Sequence, residues 1–121
     1  MAALRLSSAQ QAGCVVIEVE GDLDIVTSRE FDDYLTKARR GQRHLIIDLS
    51  AVNFMDTSSL AVIVGHWKRL TADNGSLALA GARYRHTKTL WITGLAHRLP
   101  LFDTAGEAVA ALPAAPSPRA D

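Results

Sequence analysis

The chain has 121 residues, enough for one compact domain with a real core, and 48% of them are apolar. Thirteen basic side chains balance thirteen acidic ones, which argues against non-specific binding to nucleic acid or to an anionic membrane surface. The one cysteine, Cys14, leaves no disulfide within the chain and no thiolate zinc site; no apolar stretch approaches the ~20 residues of a spanning helix or resembles a signal peptide, so a cytoplasmic protein is expected.

Residues 3–8 (ALRLSS) alternate and suit a first strand, with 10–13 as a turn. Residues 14–20 (CVVIEVE) are rich in β-branched side chains and end at Gly21, which predicts its hairpin partner. Thr27 or Ser28 offers an N-cap for a helix carrying Phe31, Tyr34, Leu35 and Ala38. Arg39 and Arg40 suit the negative end of that helix and Gly41 its C′ position. Residues 44–49 (HLIIDL) form a short apolar run, expected as a central strand covered on both faces. Further on, Leu60, Ile63, Val64, Trp67 and Leu70 make one helical stripe, with His66, Lys68 and Arg69 off it. Asp73-Asn74-Gly75 ends this helix. Residues 76–80 (SLALA) read as a strand closed by Gly81, and 87–93 as a short helix stopped by Gly94. Residues 99–102 (LPLF) suit an edge strand, because Pro100 excludes a central one. Thr104 caps a last helix over 106–112. Residues 113–121, with three prolines among small residues, read as a disordered tail after a domain of residues 1–112.

This order predicts an α/β fold: a single domain with a mixed, mostly parallel β-sheet, an N-terminal hairpin and about four helices packed against it. Function in such folds gathers at the carboxyl ends of parallel strands. Two acidic turns fall there, Gly21-Asp22-Leu23-Asp24 and Met55-Asp56-Thr57-Ser58-Ser59. If their strands are neighbours, Asp24 and Ser58 lie close together.

The second turn has two readings. As an N-cap, Asp56 accepts from the free amides of Ser58 or Ser59, and Met55 and Leu60 form a hydrophobic staple. That accounts for Asp56 and leaves three consecutive hydroxyls unexplained. As a modification site, the turn offers an exposed hydroxyl where a helix begins. A phosphate there meets free amides and the positive end of the helix, so the domain tolerates it. A partner surface carrying an acid opposite would not, and such a contact becomes a docking switch.

These residues carry a resemblance. The chain is similar to the STAS domain family, and within it to the bacterial anti-sigma factor antagonists, over roughly residues 3–112. Gly21-Asp22-Leu23-Asp24 followed by Thr27 resembles the family's turn before its first helix. Residues 45–49 followed by Val52-Asn53-Phe54-Met55-Asp56-Thr57-Ser58-Ser59-Leu60 resemble its strand and phosphorylation loop. Leu90, Ile92-Thr93-Gly94-Leu95 and residues 107–112 resemble its C-terminal helices. The resemblance implies a STAS-like fold and a non-enzymatic regulator with no cofactor, acting as a monomer. The phosphoacceptor it implies is Ser58, with Asp24 beside it in partner binding and Asp56, Thr57 and Ser59 completing the contact surface. The implied partners are an anti-sigma factor that is also a serine kinase, bound in the unphosphorylated state so that a sigma factor is freed, and a metal-dependent serine phosphatase that resets the switch. One departure is Ser59, where the family commonly has Gly. If that position needs a positive φ, Ser is strained; if it is simply helix N3, Ser is comfortable. The stripe starting at Leu60 favours N3, which makes Ser59, and also Thr57, further candidates for phosphate.

Other constellations are weaker. His44, His66, His86 and His97 lack metal-ligand spacing and are expected at surface or rim positions. A Ser-His-Asp hydrolase lacks its G-x-S-x-G elbow, and no glycine-rich phosphate loop is present. A receiver-like domain using Asp56 as phosphoacceptor would need a Lys at a strand end, where Ala80-Gly81 stands instead. Residues 83–88 (RYRHTK) are a basic stretch, read as a solvated helix start. Trp67 belongs to the core stripe; Trp91 suits either core or an exposed docking patch. The alternative to the switch is a STAS accessory subunit of a lipid transporter or a signalling scaffold, with no phosphate cycle.

Overall fold

Alternation along the strands divides the core into two layers. Val15, Ile17, Val19, Leu45, Ile47, Leu77 and Leu79 pack on one side of the sheet, and Cys14, Val16, Ile46, Ala78 and Ala80 on the other. The computed structural model describes residues 3–112; the expected tail at 113–121 lies outside them. The elements are β1 (Arg5–Gln11), β2 (Cys14–Leu23), α1 (Ser28–Ala38), β3 (His44–Met55), α2 (Thr57–Ala72), β4 (Ser76–Ala80), α3 (Tyr84–Ile92), a 3₁₀ turn (Leu95–His97), β5 (Leu101–Phe102) and α4 (Ala105–Ala111). The five strands lie in chain order, β1-β2-β3-β4-β5. Only β1 runs antiparallel to its neighbour. This is the mixed sheet with an N-terminal hairpin and four helices that the sequence predicts.

The crossover helices share the first face. Phe31 and Leu35 of α1, Leu60, Ile63, Trp67 and Leu70 of α2, and Leu90 of α3 join the larger cluster. On the other face α4 contributes Ala108, next to Leu112 at its end. Thr104 caps α4, its hydroxyl accepting from the Glu107 amide at 3.1 Å.

Four expectations need correction. Gly21 does not end β2, which runs to Leu23. Its φ of +107° marks a bulge, where the register to β3 shifts, and a Cβ there would lie 2.1 Å from the Ala3 carbonyl oxygen. β3 likewise continues from Leu49 to Met55. α3 starts at Tyr84, ahead of Thr87, with His86 and Thr87 turned inward. Finally, His66 and His86 are buried rather than at the surface. His66 projects from α2 onto α1, which satisfies it from one side: Nε of Arg39, the C-cap of α1, donates to its Nδ1 at 3.0 Å, and its Nε2 donates to Asp32 Oδ1 at 2.6 Å.

Candidate functional site

β2 and β3 are parallel neighbours that end side by side, with Leu23 opposite Met55. The Asp56 amide donates to the Leu23 carbonyl at 3.0 Å and ties the two ends together. The two acidic turns therefore emerge at the same edge of the sheet.

Asp56 is the N-cap of α2, in extended backbone at φ −110° and ψ −179°. Its Oδ1 accepts from the amides of Ser58 at 3.0 Å and Ser59 at 3.2 Å. The same oxygen accepts from the Ser58 hydroxyl at 2.5 Å and lies 3.5 Å from that of Ser59. Partial burial by itself raises the Asp56 carboxyl. The Ser58 hydroxyl and the Ser59 and Ser58 amides outweigh it and hold the group below its ordinary value. Met55 and Leu60 are both buried in the main cluster, on either side of the cap.

The three hydroxyls have different surroundings. Thr57 is exposed, Ser58 is half-buried and Ser59 is fully buried. Burial removes the Ser59 side chain from the contact surface expected of it and from reach of a kinase. The backbone explains why Ser replaces the family's Gly there without strain. Among the described residues only Ala12 and Asn74 have a positive φ without being glycine, and Ser59 is an ordinary N3 residue of α2.

Asp24 has more structural work than the sequence suggested. Its Oδ1 accepts from the amides of Val26 at 2.9 Å and Thr27 at 3.0 Å. The Thr27 hydroxyl accepts from the Asp24 amide and donates to the Asp22 carbonyl, each at 3.0 Å. Thr27 thus holds the N-cap position of α1 but spends its hydroxyl on closing the turn. Among the described residues, the Asp24 carboxylate makes its hydrogen bonds within this turn. The turn lifts Ile25 and Val26 into solvent, 75% and 80% exposed, and Phe54 near the end of β3 is 51% exposed. The sequence reading missed these three apolar side chains; exposed positions among ordinary strand and turn residues carry no periodic signal. Among the described residues no three His, Cys, Asp or Glu side chains gather where a metal ion could be held, and no helix is long and apolar enough to cross a membrane.

Fold and site together define a small α/β domain whose chemistry-bearing side chains crown the carboxyl edge of its sheet. The chain belongs to the STAS domain family, whose model matches residues 5–108. It is 31% identical over 93 residues to an anti-sigma-B factor antagonist of Staphylococcus aureus, covering 76% of this chain and 86% of that one. It is 28% identical over 102 residues to an anti-sigma F factor antagonist of Paenibacillus polymyxa, covering 83% and 87%. The crystal structure of an anti-sigma factor antagonist from Mycobacterium paratuberculosis shares the fold with a TM-score of 0.83 at 22% identity, covering 92% of this chain and 95% of that one.

Proposed function

We propose that the protein is an anti-sigma factor antagonist, a cytoplasmic, non-enzymatic switch governed by Ser58. Unmodified, it binds an anti-sigma factor that is also a serine kinase and so frees a sigma factor. Phosphate on Ser58 ends the complex, and a metal-dependent serine phosphatase restores it. The names of the relatives support the role in outline. The observation that carries the switch is the setting of Ser58: a half-buried hydroxyl at N2 of α2, at the sheet edge that also displays Thr57, Ile25, Val26 and Phe54. Apolar side chains there supply contact area, and a phosphate at the same edge brings about −1.5 to −2 charges into a desolvated interface. Asp24 and Asp56 shape the contact surface by holding its two turns.

The test is incubation of the pure chain with ATP and an anti-sigma factor kinase from the same genome, followed by mass spectrometry. Acid-stable phosphate on Ser58, absent from Ser58→Ala, is the expected result. Binding of the kinase with no phosphate transferred would favour the accessory-subunit role. Acid-labile phosphate on Asp56 would point to a receiver, although that carboxylate is already committed to the helix cap.

A further inference from the structure

We propose that α3 and the 3₁₀ turn after it form a second docking surface, which takes an acidic segment of a partner protein anchored by one or two large apolar side chains. The basic stretch noted in the sequence lies here. Residues 82–100 contain Arg83, Arg85, Lys88 and Arg98 and no acidic residue, in a chain that is neutral overall. None of the four enters the ion pairs found among the described residues, which are Arg5–Glu20 and His66–Asp32. Arg83 donates to the Val52 carbonyl at 3.1 Å and Arg98 lies over the Trp67 ring at 5.6 Å, while Arg85 and Lys88 stand exposed.

Apolar surface accompanies this charge. Of the six large apolar side chains exposed in the described chain, three flank the Ser58 turn and the other three are on α3: Tyr84 at 61%, Trp91 at 43% and Ile92 at 73%. Tyr84 and Trp91 form part of the wall of a cleft of about 410 Å³ between α3 and β5, which Leu101 and Phe102 also line. The Trp91 ring meets His97 edge to face, with centroids 5.8 Å apart and planes at 87°. That contact holds the wall in place before anything binds. Trp, Tyr and Arg are the side chains that dominate binding energy at protein interfaces.

Shape and charge decide the occupant. The apolar lining is recessed between two elements, so a flat bilayer cannot reach Leu101 and Phe102, whereas a single side chain can. Asp103 lines the same cleft and repels any anion placed in it, phosphate or carboxylate, so the occupant must put a neutral group in the cleft and its negative charge outside it, where Arg85 and Lys88 stand. A polypeptide meets both conditions, with an apolar residue in the cleft and flanking Asp or Glu on Arg85 and Lys88. The surface contains no residue of the Ser58 turn, so the proposal stands apart from the phosphate switch.

The experiment pans a random peptide library on the whole chain, then measures the selected peptides by calorimetry on wild type and variants. Acidic peptides carrying a large apolar residue are expected. Trp91→Ala and the double variant Arg85→Glu/Lys88→Glu should each weaken them at least about tenfold, and Ser58→Asp should leave them unchanged. The charge-reversed positions are exposed, so that variant keeps its fold even if Trp91→Ala does not. Failure to enrich any peptide, peptides without acidic bias, or binding indifferent to the charge reversal would overturn the proposal. So would phosphatidylglycerol vesicles or single-stranded oligothymidine binding with the same sensitivity to these variants.

Discussion

Ser58 donates to Asp56 Oδ1 twice, from its amide at 3.0 Å and from its hydroxyl at 2.5 Å. The residue that caps α2 therefore also holds the side chain proposed to receive phosphate. A phosphate ester has no proton on Oγ to give, so modification replaces a donor with an anion beside a carboxylate. Asp56 repels the new charge toward solvent, and because its own oxygen keeps the Ser58 and Ser59 amides, the helix start stays capped and its positive end tolerates the anion. Ser58→Asp should accordingly melt within a few degrees of wild type, yet lose at least about tenfold in affinity for the anti-sigma factor. Equal titration curves for the two proteins would sink the switch.

Asp56 is the acceptor for both amides, so its replacement tests the cap directly. Asp56→Ala should cost about 1–2 kcal/mol in urea unfolding, and Asp56→Asn clearly less, because Asn also caps well. A variant Ala protein as stable as wild type would mean that water serves these amides equally well.

Asp24 combines a charge with a turn-closing oxygen, and two substitutions separate them. Asp24→Asn keeps an acceptor for the Val26 and Thr27 amides and removes the charge. Asp24→Ala removes both and should lower stability by roughly 1 kcal/mol. If the charge contributes to partner binding, Asn folds like wild type but binds more weakly. Wild-type binding by Asn would assign Asp24 to the turn alone.

Acid should destabilise the fold in a defined window. Burial pushes His66 below its ordinary value of 6.5; the Asp32 carboxylate opposes this, and Arg39 and Arg69 add to it. Burial lowers His86 and His44 as well, with nearby arginines acting in the same direction. These groups bind protons more weakly folded than unfolded. Their contribution to stability is complete above pH 6.5 and is lost as pH falls through the lowered folded values. Urea midpoints should be flat above that pH and decline below it, and His66→Gln should flatten the decline. A midpoint that rises on acidification would contradict the sign.

Strands, helices and the edge position of Pro100 were legible because alternation, helical spacing and turn residues all agreed. The Asp56 cap was readable for the same reason: it is a local motif. What stayed hidden was tertiary. His66 is polar and one step off its helical stripe, and only Arg39 and Asp32, distant in sequence, make its burial favourable. Gly21 resembled a strand end because a bulge glycine and a turn glycine look alike in a sequence. The burial of Ser59 and the exposure of Ile25, Val26 and Phe54 depend on how two strand ends meet, which no single stretch encodes.

Strand order that follows chain order has a bearing on synthesis. As the polypeptide leaves the ribosome, the pairing partner of each new strand is always the strand made just before it. No early strand waits for a late one to be completed. The last of the described elements to be made is α4, and by then every strand that its Ala108 covers on the second face has already been synthesised.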